Sequence, residues 1–382
     1  MEPKFKHFDL EIIKPDFDSP LTSTILELEK LRNKVLGGTT PPDVFFQLKN
    51  IFHFLESLGS ARIEGNNTTL SELVERKIEE KKENINEDFK EIENMERAMS
   101  FIEENTKAET IINRAFIFEL QKIIVDGLRK EGDTNAGNYR GHDVSINKSN
   151  HKPPQFFKVS EYMDKLIEFA NKKVDNQFEL IITAISHHRF SWIHPFGNGN
   201  GRTVRALTYA MLIKQGFNVR NGRILNPTAI FCNDREKYYN MLSEADKGTR
   251  EGMLIWCDYV LSGLLREINK IDKLSDKEYL IKNILMPAFD YSLERQFITK
   301  TEHDILKLII KKDDMIISSS DLEPIFPNKI PAERSRIISR FKTKKMLLPL
   351  SQKGRKYTIG FYNSYLLRGI IEMLKKEGFA SD

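Results

Sequence analysis

Cysteine is scarce in this sequence: Cys232 and Cys257 are the two in 382 residues, and neither sits in a C-x-x-C pair. That excludes a disulfide framework and a cysteine-built zinc site, and both are read as reduced, buried, small side chains. No run of eighteen apolar residues occurs, and the opening MEPKFKHFDLEIIKPDF lacks the apolar stretch of a secretion signal. The expectation is a cytoplasmic protein with no membrane partner. An excess of one charge is also missing: 59 Lys and Arg face 55 Asp and Glu, a net of +4. No global field therefore calls for nucleic acid, and any such case has to be local. Internal repeats and low-complexity segments are absent.

What is present is helical periodicity. Apolar spacing predicts helices over 21–36 and 42–58, with Gly37 and Gly38 ending the first. Residues 71–95 carry mixed-sign charge of the kind found on solvated helix faces. Helices are expected again at 109–130, 158–172, 177–192, 202–215, 234–247 and 250–273. The turn-rich GDTNAGNYRGHDVSINKSNHKPP interrupts them and is too long for a plain connection; within it Asp143–Ile146 and the residues before Pro153 form an expected short hairpin around Lys148, Ser149 and Asn150.

The segment HPFGNGNGRTVR, His194 to Arg205, joins two of these helices. Glycines at 197, 199 and 201 permit a turn whose N–H groups form a concave nest, and the following helix adds its positive end, so the loop suits a di- or triphosphate. Arg202 and Arg205 stand three apart on one helix face, placed to grip outer phosphate oxygens. His194 stands beside them as a proton acceptor.

This segment resembles the signature of the Fic family, H-P-F-x-[D/E]-G-N-G-R-x-x-R, at every specified position but one. The resemblance implies a mainly α fold: a Fic-type helical core with a short β-hairpin flap. It implies AMP transfer from ATP to a hydroxyl of a target protein, with a Mg2+ or Mn2+ ion. His194 would be the general base on the target Ser, Thr or Tyr. Gly199, Asn200 and Gly201 would form the phosphate nest, Arg202 the outer-phosphate contact and Arg205 a supporting one, with Phe196 as a buried anchor. Asn198 is the mismatch, since the family has a metal-holding carboxylate there and an amide is a weaker ligand. Three readings stay open: slower but real catalysis, an altered nucleotide or metal preference, or a site without turnover. Gly201, where a kinase-like branch has Lys, favours AMP transfer over phosphorylation.

Flanking segments extend the resemblance. Val144, Ser145, Ile146 and Asn147 fall in the flap that aligns a target chain by strand addition, with His151 a bystander. Tyr238 and Tyr239, in NDREKYYNML, are candidates for adenine or ribose contact, or else packing residues. Upstream, Ser60, Glu64 and Gly65 fit the inhibitory pattern [S/T]-x-x-x-E-[G/N]. There Glu64 is expected to pair with Arg202 and block productive ATP binding, and in some relatives the same glutamate supports removal of AMP.

The C-terminal order of helix (302–311), short helix (319–326), basic helix and two strands resembles a winged helix-turn-helix. Arg334, Arg336, Arg340, Lys353 and Arg355 are its candidate DNA contacts, against the alternative of a dimerisation or protein-docking module. The implied division is residues 1–105 as an inhibitory helical region, 106–275 as the core, 276–299 as a linker and 300–382 as the winged-helix domain. A homodimer is compatible with this. The rival function is a catalytically weak or inert, nucleotide-sensing regulator that binds DNA.

Overall fold

The computed structural model describes residues 4–33, 38–79, 86–146, 149–217, 227–351 and 354–380. The chain divides into two units that interleave along the sequence. One is Met1–Val35, His53–Thr68 and Asn84–Asn269, and the other is Leu36–Phe52, Thr69–Glu83 and Lys270–Asp382.

Helices in chain order are α1 Pro20–Asn33, α2 Pro42–Ile63, α3 Leu70–Glu79, α4 Glu87–Asn105, α5 Arg114–Val125, α6 Val159–Ala170, α7 Asn176–Ile193, α8 Asn200–Lys214, α9 Thr228–Cys232, α10 Arg235–Ala245 and α11 Arg250–Asp272. In the first unit α7 and α8 are the central pair. From Leu180 to Ile193 nearly every residue of α7 is buried, as is α8 from Arg202 to Leu212, so both are encircled by protein rather than amphipathic. α4 and α5 pack against α8, and α6 against α7. Asn86 and Asn113 begin α4 and α5 as N-caps, accepting from the N–H groups of Phe89 and Phe116, both at 2.9 Å.

The expected hairpin at 143–146 is not formed: among the described residues there is no strand here. Val144, Ser145 and Ile146 are irregular, and Asn147 and Lys148 lie outside the described residues. The polar groups of this segment are engaged otherwise. Arg140 binds the carbonyl of His142 at 2.8 Å, and Asp143 accepts the N–H of Phe156 at 2.8 Å. Lys4 instead bridges in parallel to His151, bringing the extended N-terminal arm onto Trp192, against which Phe5 and Phe8 pack.

The second unit continues with α12 Lys277–Leu280, a π turn, α13 Met286–Glu294, α14 Lys300–Lys311, β1 Ile316–Ile317, α15 Pro331–Thr343, β2 Leu347–Pro349, β3 Tyr357–Ile359 and α16 Leu366–Lys376. The strands form an antiparallel sheet in the order β1-β3-β2, with Ile316 and Leu348 both opposite Thr358. The helix expected at 319–326 is one 3-10 turn, Ser320–Leu322, where Asp321 takes the Ser318 N–H at 2.7 Å and ties the chain into a turn. Arg336, Arg340 and Arg355 are exposed, Arg334 lies 3.5 Å from Glu323, and Lys353 is outside the described residues. Among the described residues no helix is long and apolar enough to cross a membrane.

Candidate active site

α7 ends in a sharp turn at His194, which adopts the left-handed conformation with φ 51° and ψ 60°, sparsely populated for a non-glycine residue. Arg140 holds that geometry: its Nε donates to the His194 carbonyl at 2.9 Å, and its own N–H donates to the Pro195 carbonyl at 2.9 Å. Phe196 is fully buried, against the rings of Phe118, Tyr139 and Phe190. Asn200 closes the turn from the other side, accepting the Phe196 N–H and donating to the Phe196 carbonyl, both at 2.9 Å. Its side chain is thus occupied structurally, and what it offers a ligand is its backbone N–H.

Gly199 precedes α8 with φ 78°, and a Cβ there would stand 2.7 Å from Val125 Cγ1, so both backbone and space demand glycine. With no side chain in the N-cap role, the first N–H groups of α8 are left as a positive, anion-seeking end. The Glu64 carboxylate lies there: a Cβ on Gly201 would collide with its Oε1.

Glu64 ends the segment after α2 and pairs with Arg205 Nη2 at 2.8 Å. Ser60, one turn earlier, takes Arg205 Nε on its hydroxyl and Nη2 on its carbonyl, both at 2.9 Å. The expected Glu64–Arg202 pair is therefore corrected to Glu64–Arg205. The reason is steric placement: Arg202, completely buried, is already held by Glu91 of α4 at 2.7 Å and by the carbonyl of Glu131 at 3.1 Å. Gly65 contributes its φ of 106°, which lets the chain turn away after Glu64. Burial works to raise the Glu64 carboxyl, but Arg205, then Arg202 and His194, hold it below the usual carboxylate range.

Burial pushes the His194 imidazole down to about 4, opposed by Glu64 and reinforced by Arg140. At neutral pH it is an uncharged base. His151 Nε2 donates to the Trp192 carbonyl at 2.8 Å and the imidazole stacks on the Trp192 ring, a structural role. Of the two tyrosines, Tyr238 is buried with its hydroxyl 2.9 Å from His187 Nε2, a packing role. Tyr239 is 42% exposed with Arg235 over its ring, and is the one free to meet a ligand.

Metal-binding capacity at the turn is poor. Asn198 Oδ1 accepts the Gly199 N–H at 2.7 Å, and no group of three His, Cys, Asp or Glu able to hold a metal occurs among the described residues. The nearby Asp133 carboxylate is taken up by the N–H groups of Asn198 and Asn135 and by the amide of Gln121. These partners, with Arg140, Glu91 and Glu131, were not found by sequence reasoning. Arg140 and Asp133 sit inside the turn-rich segment that drew attention, whereas a buried Glu in a charged helix gives no sequence signal.

Residues 111–212 match the model of the Fic/DOC family. A curated relative from Nematostella vectensis, "Protein adenylyltransferase Fic", is 28% identical over 64% of this chain and 53% of its own length. One of the same name from Drosophila willistoni is 27% identical over 51% of this chain and 37% of its own. The chain thus spans about half or less of these curated relatives. Two crystal structures share the fold. A Fic domain containing signaling protein from Bacteroides thetaiotaomicron has a TM-score of 0.53 at 21% identity, covering 67% of this chain and 98% of that one. A Fic family protein from Desulfovibrio desulfuricans has a TM-score of 0.53 at 18% identity, covering 89% and 96%. Signature, helical core and family match agree, and the chain carries a Fic/DOC family domain at residues 111–212.

Proposed function

We propose that this protein transfers AMP from ATP to a Ser, Thr or Tyr hydroxyl of a target protein. The observation that carries the proposal is the convergence, at one turn, of an uncharged His194, an uncapped N-terminus of α8 and two buried arginines. The target oxygen attacks the α-phosphorus, a new O–P bond forms, and the bond to the α,β-bridging oxygen breaks. Pyrophosphate leaves with that electron pair, and the hydroxyl proton passes to His194. The N–H groups of Asn200 and Gly201, that of Gly199 once Asn198 Oδ1 releases it, and the guanidinium groups of Arg202 and Arg205 neutralise the phosphates, the main requirement of such transfers. Arg202 Nε lacks a hydrogen-bond partner among the described residues, which suits it to a phosphate oxygen, while Nη1 faces Glu91 at 2.7 Å. Tyr239 meets the base, and Val144 to Ile146 align the target backbone. A Mg2+ or Mn2+ ion would be held chiefly by the nucleotide's own phosphates and would supply charge neutralisation there, since Asn198, its Oδ1 turned onto the Gly199 N–H, does not replace the missing carboxylate.

Glu64, with Ser60 and Gly65, is the brake: it occupies the N-terminus of α8 and Arg205, where the terminal phosphate would lie, and the same carboxylate would position water for AMP removal. The names of the curated relatives support the activity. The test is label transfer from α-labelled and γ-labelled ATP by the Glu64→Gly protein, with Asn198 kept or changed to Asp. Label from the α-position alone, lost with His194→Ala, is expected; label from the γ-position would mean a kinase.

A second reading, a nucleotide-sensing regulator, is favoured by Asn198 being turned onto Gly199. The winged-helix role of the C-terminal elements belongs to it, with exposed Arg336, Arg340 and Arg355 as DNA contacts beside Arg334. Label transfer appearing only after Asn198→Asp would favour it.

A further inference from the structure

Two residues beyond Glu64, the side chain of Asn66 makes a connection that the brake itself does not need. Asn66 is buried, and its Nδ2 donates to Glu91 Oε2 at 2.7 Å and to the Asp88 carbonyl at 2.9 Å. Its Oδ1 accepts the Thr68 N–H at 2.9 Å, and its own N–H returns to the Ala61 carbonyl at 3.2 Å. Glu91, 3% exposed, presents its other oxygen 2.7 Å from Arg202 Nη1. One short segment, residues 60–68, thus grips Arg205 through Ser60 and Glu64, and reaches Arg202 through Asn66 and Glu91.

We propose that Asn66 and Glu91 form a second clasp, by which the segment carrying Glu64 governs Arg202 as well as Arg205. The inference rests on the reading of both arginines as phosphate contacts. Its physical basis is charge: a buried guanidinium fixed against a buried carboxylate has its charge largely cancelled toward an incoming anion, and that carboxylate is held in place by a donor on the segment that carries Glu64. Burial pushes the Glu91 carboxyl up, against the pull of Arg202 and of the Asn66 amide, which also holds the carboxyl in position. A cleft lined by Glu64, Asn66, Glu91 and Glu131 borders both pairs. Glu91 is here a positioning residue; it acts through Arg202 and not on substrate.

The experiment uses the full chain with Glu64 in place and two readouts: amide hydrogen exchange over residues 61–68 without nucleotide, and affinity for a fluorescent ATP analogue in MgCl2. Asn66→Ala is expected to speed exchange at Gly65–Thr68 with α7 unchanged, and to tighten the analogue about five- to tenfold. Combining it with Glu64→Gly should give less than the product of the two effects, because both release one segment. Asn66→Asp keeps the Thr68 acceptor but opposes Glu91, so it should behave like Asn66→Ala. Adding Glu91→Gln to Asn66→Asp restores a donor–acceptor pair and should return the exchange toward wild type. Unchanged exchange in Asn66→Ala and Asn66→Asp, with Glu64→Gly still tightening the analogue, overturns the clasp and leaves the phosphate reading intact. Faster exchange with no change in analogue affinity in any variant, Glu64→Gly included, upholds the tie between segment and α4 and overturns the phosphate reading.

Discussion

Removing the Glu64 carboxylate is the perturbation with the most direct consequence. Its Oε1 is 2.8 Å from Arg205 Nη2 and sits at the N-terminus of α8, so on the proposed function ATP has to displace it from both places. A hydrogen bond to a charged group contributes about 1.5–3 kcal/mol. The Glu64 side chain is 28% exposed, so solvent screening puts the pair at the lower end of that range. Glu64→Gly should then tighten ATP binding roughly ten- to thirtyfold. Arg205 does not collapse without its partner, because Ser60 still holds Nε and Nη2. Isothermal titration with ATP and MgCl2 measures the affinity. Glu64→Gln, which keeps the shape and one acceptor but loses the charge, should fall between wild type and Glu64→Gly. An ATP affinity within twofold of wild type for Glu64→Gly, in a protein of unchanged melting temperature, would refute the reasoning.

Two titrations give further predictions. His194 is pushed down to about 4, so the base stays competent well below its ordinary value: the ascending limb of kcat/KM against pH should lie near pH 4 to 5 rather than 6.5, and a limb at 6.5 would contradict the burial of the ring. Glu64→Gly removes a charge that raises this pKa, and should move the limb lower still. Glu56, buried on α2 and accepting the Thr228 N–H at 2.9 Å, is pushed up to about 8, by burial first and by the neighbouring carboxylates Glu267 and Glu103. Because the folded form holds this proton more tightly, its relative stabilisation is full below about pH 4.5 and fades as pH rises through 8. Glu56→Gln keeps the acceptor and should stabilise the protein by on the order of 3 kcal/mol at pH 8, with little change at pH 4.5; melting temperatures across that range measure it, and an equal shift at both ends would count against it.

Much of the site was legible because its chemistry is local. A histidine, a glycine-permitted turn and two arginines within His194–Arg205 need no distant partner to be recognised, since the backbone of one helix–turn–helix places them all. The same holds for Ser60, Glu64 and Gly65, which lie within one helical turn and its exit. Helix positions followed from apolar period.

What the sequence could not determine is which carboxylate meets which arginine. Arg202 and Arg205 are alike in composition and share a helix face, and only the packing of α2 and α4 on α8 gives Glu64 to Arg205 and Glu91 to Arg202. Tyr238 and Tyr239 are adjacent and alike, yet burial and the His187 hydrogen bond separate a core residue from an exposed one. The hairpin expected at 143–146 failed for a related reason: strand propensity is weak against the side-chain grip of Arg140 and Asp143 on the same backbone. Local residue types and spacing carried the chemistry; the partners of each charge were decided by long-range packing, because a buried ion pair forms only where two helices bring it together.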